Sequence, residues 1–206
     1  MARSPIDRVT LGLHQRTKMS PWSQQKTVEA VVVHPGFTGF SSPTADPRND
    51  IAMIKLSSPV KLTDAVTIAC LSTRDSDFDH SLCFVTGWGH VDAAKRQLAD
   101  VLQQSKTQAL DAKQCRDVFR AMGDDTTVIE VKQLCANFTR TYSGVCSGDS
   151  GGPLTCLGTN RREPFVVVGV ASYIVGVDCN TMNPSPSVFT KVSSFIPWIA
   201  RVMEVN

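Results

Sequence analysis

In the segment Cys146-Ser147-Gly148-Asp149-Ser150-Gly151-Gly152-Pro153, a serine and an aspartate stand among three glycines within five residues. A serine hydroxyl becomes a useful nucleophile only beside a base and beside donors that stabilise a developing oxyanion. The glycines allow a tight turn, so that the amides of Gly148 and Ser150 can point at one position beside the Ser150 hydroxyl. Each of these residue types is also common in surface turns, but the whole segment, followed by an apolar run, favours a nucleophile loop.

This segment resembles the nucleophile segment of the trypsin/chymotrypsin-like serine endopeptidases, and further motifs extend the resemblance over nearly the whole chain. The resemblance implies an all-β fold, the double six-stranded Greek-key β-barrel of the chymotrypsin type, with a C-terminal helix. It implies that Ser150 is the nucleophile and that the amides of Gly148 and Ser150 form the oxyanion hole. Asn49-Asp50-Ile51-Ala52 matches the segment that carries the aspartate orienting the catalytic histidine, although Asp50 alone would be interpreted as a turn or capping residue.

The catalytic histidine is the gap in this resemblance. The histidines of the chain are His14, His34, His80 and His90. None stands in the Ala-Ala-His-Cys context that the family uses, so each is expected to be an ordinary surface histidine. Alignment of Val9-Thr10-Leu11-Gly12 places that motif at or just upstream of Met1.

The same alignment predicts that the first barrel lacks its N-terminal strands. The predicted domains are residues 1–72, a remnant of the first barrel, and 73–206, the second barrel with the C-terminal helix. The polar, acidic segment 72–81 is the predicted boundary between them.

Asp149 matches a buried aspartate that pairs, after activation, with a freshly cut Ile or Val α-amino group. Met1-Ala2-Arg3 does not resemble such a terminus, so Asp149 is expected to have no partner. An unpaired buried charge is costly, and the Gly148–Ser150 loop is therefore expected to be loosened, as in a zymogen. Without its histidine, the chain is expected to be inactive alone.

Seven cysteines lack the paired C-x-x-C spacings of a zinc site and indicate a disulfide framework, hence an oxidising compartment. Reduced core cysteines are the alternative. The resemblance implies the pairs Cys83–Cys156, Cys115–Cys135 and Cys146–Cys179, with Cys70 unpaired. The first residues contain no apolar signal region, so the start of the protein is expected to be absent, and a secreted, extracellular location is inferred from the cysteines and the family.

The predicted substrate pocket rests on the resemblance. Gly144 and Val145 match its base, where trypsin-like members place an aspartate for Lys or Arg, so basic specificity is disfavoured. Ser172-Tyr173-Ile174 matches the edge that pairs with substrate as an added strand, and Ser187 lies on the opposite wall. Ile174 replaces a glycine and should narrow the mouth. An elastase-like preference for small aliphatic residues is expected first, and a chymotrypsin-like one second.

Secondary structure follows from short runs of β-branched and apolar residues bounded by polar, Pro or Gly residues. Asp111 can cap one helix, with Gln114 three residues on, and a second helix begins near Ser193. Such short strands favour a barrel or sandwich. The predicted strands are residues 9–13, 28–33, 51–56, 82–86, 99–110, 133–137, 153–157, 165–173 and 187–192.

Composition limits the partners. Apolar residues make up 42% and charged residues 19%, with a net charge of +2 and no clustered basic run, so nucleic acid and membranes are not expected partners. A protein or peptide substrate and a monomeric state are expected, with no cofactor and no metal.

Asn137-Phe138-Thr139 is a glycosylation sequon, or else an unmodified strand end. Two hypotheses are alternatives to an endopeptidase: the chain is a non-catalytic homologue that binds partners, or it is an incomplete gene product.

Overall fold

The computed structural model describes residues 6–39, 47–74, 82–92, 97–124, 129–138, 144–158, 165–174 and 186–205. The strands within these residues are β1 (Arg8–Leu11), β2 (Gln24–Val33), β3 (Ala52–Leu56), β4 (Cys70–Leu71), β5 (Leu82–Gly87), β6 (His90–Asp92), β7 (Gln97–Leu98), β8 (Gln103–Leu110), β9 (Gln133–Asn137), β10 (Pro153–Leu157), β11 (Phe165–Ile174) and β12 (Ser187–Lys191). The α-helices are α1 (Ala112–Ala121) and α2 (Ile196–Val205), the latter preceded by a 3-10 turn at Val192–Phe195.

The first part of the chain forms an open antiparallel sheet in the order β1-β2-β3. Successive side chains of β2 alternate strictly in exposure, as expected of a strand with one face against protein. The other face leaves Val31 and Val33 exposed beside Ile54, which is paired with Val31 in β3. This face of the sheet is therefore apolar and exposed.

The second part of the chain forms a closed six-stranded barrel, which confirms the predicted all-β fold of the chymotrypsin type. Its strands follow one another in the order β10-β5-β8-β9-β12-β11, and pairing of β11 with β10 closes the ring. Four large apolar side chains fill its interior with no measurable exposure: Leu134, Leu154, Val168 and Phe189. The short strand β4 adds to the barrel in parallel beside β11, although its residues precede the predicted boundary.

The predicted strand 99–110 is longer than the observed one, since β8 begins only at Gln103. Residues 99–102 instead form contacts with the first part of the chain: Leu102 donates its amide to the carbonyl of His14, at 2.9 Å. Asp100 accepts hydrogen bonds from the side chains of Gln15 and Thr17, and these bonds lower the pKa of its carboxyl. Long-range polar contacts override the local strand signal here.

The disulfides Cys83–Cys156 and Cys115–Cys135 are confirmed, and Cys70 is a free cysteine. Cys146 is also disulfide-bonded, while its expected partner Cys179 lies outside the described residues. The first bridge joins two paired strands, β5 and β10, and the second ties α1 to the barrel wall.

Both predicted helices are confirmed. Asp111 accepts the amide proton of Gln114 at 2.7 Å, and the Gln114 side chain accepts that of Asp111, a reciprocal capping box. Helix α2 buries Ile199 and Val202, with Phe195 just before it. Met203, in the same helix, is exposed.

The C-terminal helix joins the two parts of the chain. Phe195 and Ile199 pack against Ile51, next to the start of β3. His34, at the end of β2, packs its ring 5.3 Å from that of Phe195 and 5.0 Å from that of Trp198. Its Nδ1 accepts the amide proton of Gly36 at 3.1 Å. His34 is thus half-buried in the neutral form that this contact requires.

We predict that His34 makes folding stability depend on pH. Burial, and secondly the charge of Lys132, lower the pKa of His34 from its ordinary value of 6.5. A lowered pKa in the folded state means that stability is complete above the ordinary value and is lost as pH falls through the folded one. Urea unfolding between pH 8 and pH 5 should show a steeper loss for the unaltered protein than for His34→Gln, in which this group cannot titrate. Parallel stability curves would contradict the prediction.

Candidate active site

Ser150 lies exposed on the loop that leads into β10. This loop depends on two glycines in conformations that other residues rarely adopt, Gly148 with φ of 100° and Gly151 with φ of 82°. A Cβ on Gly148 would also lie 2.9 Å from the side chain of Leu98. The glycines of the motif are therefore required by the turn that presents the Ser150 hydroxyl to solvent.

The amides of this loop fall into two groups. Those of Asp149, Gly151 and Gly152 donate to the carbonyls of Cys146, Ala171 and Asp149 at 2.9–3.0 Å. By contrast, the amide protons of Gly148 and Ser150 have no acceptor among the described residues. The loop is therefore fixed by its neighbouring amides while the two predicted oxyanion donors stay available.

Asp149 has hydrogen-bond partners, although its carboxylate forms no ion pair among the described residues. Its carboxylate accepts the amide proton of Gly89 at 2.7 Å and that of Cys146 at 3.0 Å. A Cβ on Gly87 or on Gly89 would collide with this carboxylate. Two backbone amides thus satisfy a half-buried charge where the family resemblance predicts an α-amino group.

Asp50 lies immediately before β3, and its side chain reaches the barrel. Its Oδ2 accepts a hydrogen bond from the hydroxyl of Ser172 in β11 at 2.7 Å. Its backbone carbonyl accepts one from the hydroxyl of Thr190 in β12 at 2.8 Å. Ser172, predicted on the substrate side, is buried, and its hydroxyl holds the carboxylate of Asp50.

No described histidine hydrogen-bonds to Ser150 or Asp50. His14 is exposed, and its carbonyl accepts the indole proton of Trp88 at 3.1 Å. His80 lies outside the described residues. His90 is half-buried, and its amide donates to the carbonyl of Ser147 at 3.0 Å, next to the nucleophile loop.

A cavity of about 350 Å³ adjoins the carboxylate of Asp149. Gly144 and Val145, the predicted base of the substrate pocket, line it together with His90 and Phe189. The other predicted pocket residues, Ser172, Tyr173, Ile174 and Ser187, are not part of its lining. The structure therefore places the predicted pocket residues in two groups.

The second group lies where β11 and β12 pair. Ile174 and Ser187 are directly opposite each other in this pairing, and the hydroxyl-bearing Ser187 is buried. Tyr173 packs against the apolar cluster of Cys115 and Phe119, under α1. The sequon residue Asn137 ends β9, half-buried, and its carbonyl accepts a hydrogen bond from Thr107; Thr139 lies outside the described residues.

Sequence reasoning missed several residues around the site. The pair Gly87 and Gly89 provides the space and one backbone amide for the carboxylate of Asp149. Two glycines flanking a tryptophan were the available signal. Thr190 and Gln133 carried no signal, because nothing in the sequence shows that strands β12 and β9 face the segment before β3.

Among the described residues, no helix is long and apolar enough to cross a bilayer. In the same part of the chain, no three His, Cys, Asp or Glu side chains are grouped so that they could hold a metal ion.

Comparison with known proteins agrees with the fold and the loop. The sequence model of the trypsin family matches residues 3–199. Bovine chymotrypsin-C is 37% identical over 181 residues, which cover 86% of this chain and 62% of that protein. Chymotrypsin-like elastase family member 1 of the dog is 32% identical over 205 residues, covering 99% of this chain and 74% of that protein. The chain thus spans less than two thirds of the bovine relative's length, and it belongs to the trypsin family of trypsin/chymotrypsin-like serine proteases.

Proposed function

We propose that this chain is the nucleophile-bearing part of a serine endopeptidase. The observation that carries the proposal is the loop itself: an exposed Ser150 hydroxyl flanked by two amides with no acceptor among the described residues. In the reaction, Ser150 Oγ attacks the scissile carbonyl and loses its proton to a base. The base returns that proton to the departing amine, and water then hydrolyses the acyl-enzyme ester.

The amides of Gly148 and Ser150 would stabilise the oxyanion of each tetrahedral intermediate. Donors fixed in advance need no reorganisation as charge develops, and loss of one such donor costs about 3–4 kcal/mol of barrier in comparable sites. The hydrogen bonds of Asp149, Gly151 and Gly152 support this role because they restrain the loop on both sides of each donor.

Asp50 would orient the imidazole that activates Ser150. A half-buried carboxylate held by Ser172 is suited to accept an imidazole proton and to stabilise the imidazolium. Among the described residues, no histidine is hydrogen-bonded to Asp50 or to Ser150. Loss of the histidine from an analogous triad on another fold lowers turnover by about 10⁶-fold, or roughly 8 kcal/mol of barrier. We therefore infer that the chain alone hydrolyses peptides negligibly.

The proposed substrate is a protein or peptide with a small aliphatic residue before the cleaved bond, and a large apolar residue is the second choice. Gly144 carries no charge to meet Lys or Arg, and Val145 beside it is buried and apolar. Ile174, at the end of β11, would narrow the entrance opposite Ser187. The names of the two relatives, a chymotrypsin and an elastase, agree with these two choices.

The remaining features of the proposal follow from the family and the cysteines. The disulfides suit a secreted protein in an oxidising compartment. The enzyme would act as a monomer without cofactor or metal, with a third bridge between Cys146 and Cys179 and with Asn137 as a candidate glycosylation site. Asp149 would be the group that activation engages.

A non-catalytic homologue that binds partners is the second candidate. The lack of contact between a described histidine and Ser150 or Asp50 favours it. The intact nucleophile loop favours the endopeptidase, since binding alone does not need a nucleophile with two free donors.

The endopeptidase proposal predicts that Ser150-dependent hydrolysis requires a base from outside the 206 residues. Purified chain should cleave a peptide library no faster than its Ser150→Ala variant. A product extended through the coding sequence upstream of Met1 should cleave small aliphatic sites at least about 10³-fold faster than its own Ser150→Ala control. Ser150-dependent cleavage by the 206 residues alone would contradict the inferred inactivity. An upstream sequence with another residue in place of the histidine would favour the binding protein.

For Asp149, we predict that its carboxylate stabilises the nucleophile loop even without an α-amino partner. In Asp149→Asn, the side-chain oxygen can accept the amide proton of either Gly89 or Cys146. The side-chain NH2 group then faces the amide proton of the other residue and forms no hydrogen bond with it. A lost hydrogen bond to a half-buried charge should lower the free energy of unfolding by about 1–2 kcal/mol. Urea unfolding measures this change, with Asp64→Asn, an exposed turn position, as the control. Equal effects of the two substitutions would refute the role.

A further inference from the structure

The segment before β3 is held from two sides. The residues that follow β2 hold one side: Arg48 donates its amide proton to the hydroxyl of Thr38 at 3.0 Å, and the carbonyl of Ile51 accepts that of His34 at 3.0 Å. The barrel holds the other side. Pro47 accepts, through its carbonyl, a hydrogen bond from the side chain of Gln133 at 3.2 Å. Arg48 pairs with Glu130 at 3.0 Å, although both side chains are substantially exposed, so this pair contributes little. Asp50 receives the hydroxyls of Ser172 and Thr190, from β11 and β12. Three barrel strands and the segment leading into β9 therefore contact residues 47–50.

Asn49 shows why these contacts are needed. Its φ is 52°, in the left-handed region. Asparagine adopts this conformation more readily than most residues, but the conformation is unfavourable even for asparagine. Its side chain donates to the carbonyl of Gly36 at 2.8 Å. The backbone turns sharply here, and the turn brings the Asp50 carbonyl to the barrel. A turn in this conformation persists when its surroundings fix it.

Thr190 is the contact best placed to fix Asp50. It is 3% exposed, so its hydroxyl needs a partner inside the protein, and that partner is the Asp50 carbonyl. Val170 is its neighbour in the pairing of β11 with β12, two residues before Ser172. Ser172 therefore holds the side chain of Asp50 while Thr190 holds its backbone. With its backbone carbonyl and its carboxylate both hydrogen-bonded, Asp50 has little freedom to rotate its side chain.

We propose that Thr190 is a positioning residue for Asp50. Its buried hydrogen bond to the Asp50 carbonyl stabilises the unfavourable turn at Asn49, and the turn in this conformation directs the Asp50 carboxylate toward the base. Gln133 assists by holding the segment at Pro47. This inference rests on the proposed function for its catalytic meaning, but the contact between Thr190 and Asp50 can be tested without any activity.

The experiment follows the ¹³Cγ resonance of Asp50 in the full 206-residue chain labelled at aspartate, assigned by its loss in Asp50→Asn. Thr190→Val keeps the shape of the side chain and removes the hydroxyl, while Thr190→Ser keeps the hydroxyl. The matched control is Thr107→Val, because Thr107 is also a buried barrel threonine, 7% exposed, whose hydroxyl donates to a backbone carbonyl, that of Asn137, at 2.9 Å. Thr190→Ala is measured alongside, in case the valine variant does not fold.

We expect Thr190→Val and Thr190→Ala to shift the Asp50 resonance, Thr190→Ser to leave it near its original position, and Thr107→Val to leave it unmoved despite a similar loss of thermal stability. Equal resonance positions in the Thr190→Val and Thr107→Val proteins would overturn the proposal, and so would a shift in Thr190→Ser as large as in Thr190→Val. Reaction of Ser150 with a fluorophosphonate, measured on the upstream-extended product, tests the proposed function separately, so the two can fail independently.

Discussion

The hydrogen bond from the Ser172 hydroxyl to the Asp50 carboxylate joins residues 122 positions apart and connects the two parts of the chain at the proposed site. Ser172 belongs to β11, a strand of the closed barrel, and the same barrel carries the nucleophile loop, which is anchored to β11 through the carbonyl of Ala171. Asp50 and the loop that carries Ser150 are thus both hydrogen-bonded to strand β11. The barrel therefore contacts both proposed catalytic groups, while the residues that follow β2 also bond to the segment that carries Asp50.

The two parts of the chain differ in how far each encloses an apolar core. The barrel closes on itself, buries large apolar side chains and is cross-linked by disulfides. Within the described residues, β1 and β3 have no strand partner besides β2, and the sheet exposes Val31, Val33 and Ile54 on one face. Open edges and uncovered apolar faces are liabilities in water. Phe195, in the 3-10 turn before α2, and Ile199, in α2, pack against Ile51 and so tie this sheet to the rest of the chain.

Much of the fold could be predicted from the sequence, because local signals and the barrel pattern agree. Residues 133–137 and 153–157 are strands with the predicted bounds, and the capping box at Asp111 was visible from its spacing. Strand β2 begins at Gln24, earlier than predicted, because its polar first half alternates without an apolar signal. The prediction for residues 99–102 was wrong because contacts of these residues with the segment around Gln15 replace the strand.

The site was harder to predict than the fold. Motifs identified Ser150 and Asp50, but they could not show that Asp149 would be satisfied by backbone amides, since that depends on the space left by Gly87 and Gly89. They also could not show that Ser172 points at Asp50. Such contacts join residues far apart in the sequence, and only the closed barrel brings them together.

Native-state hydrogen exchange at the amide of Ile51 tests most directly whether the barrel holds Asp50. This amide donates to the carbonyl of Asn49 at 2.9 Å, within the turn that the barrel fixes. If the account is correct, it exchanges with the opening free energy of barrel amides such as Ala171, above that of amides between β2 and β3. Exchange of Ile51 together with the open sheet, while the barrel stays closed, would contradict it.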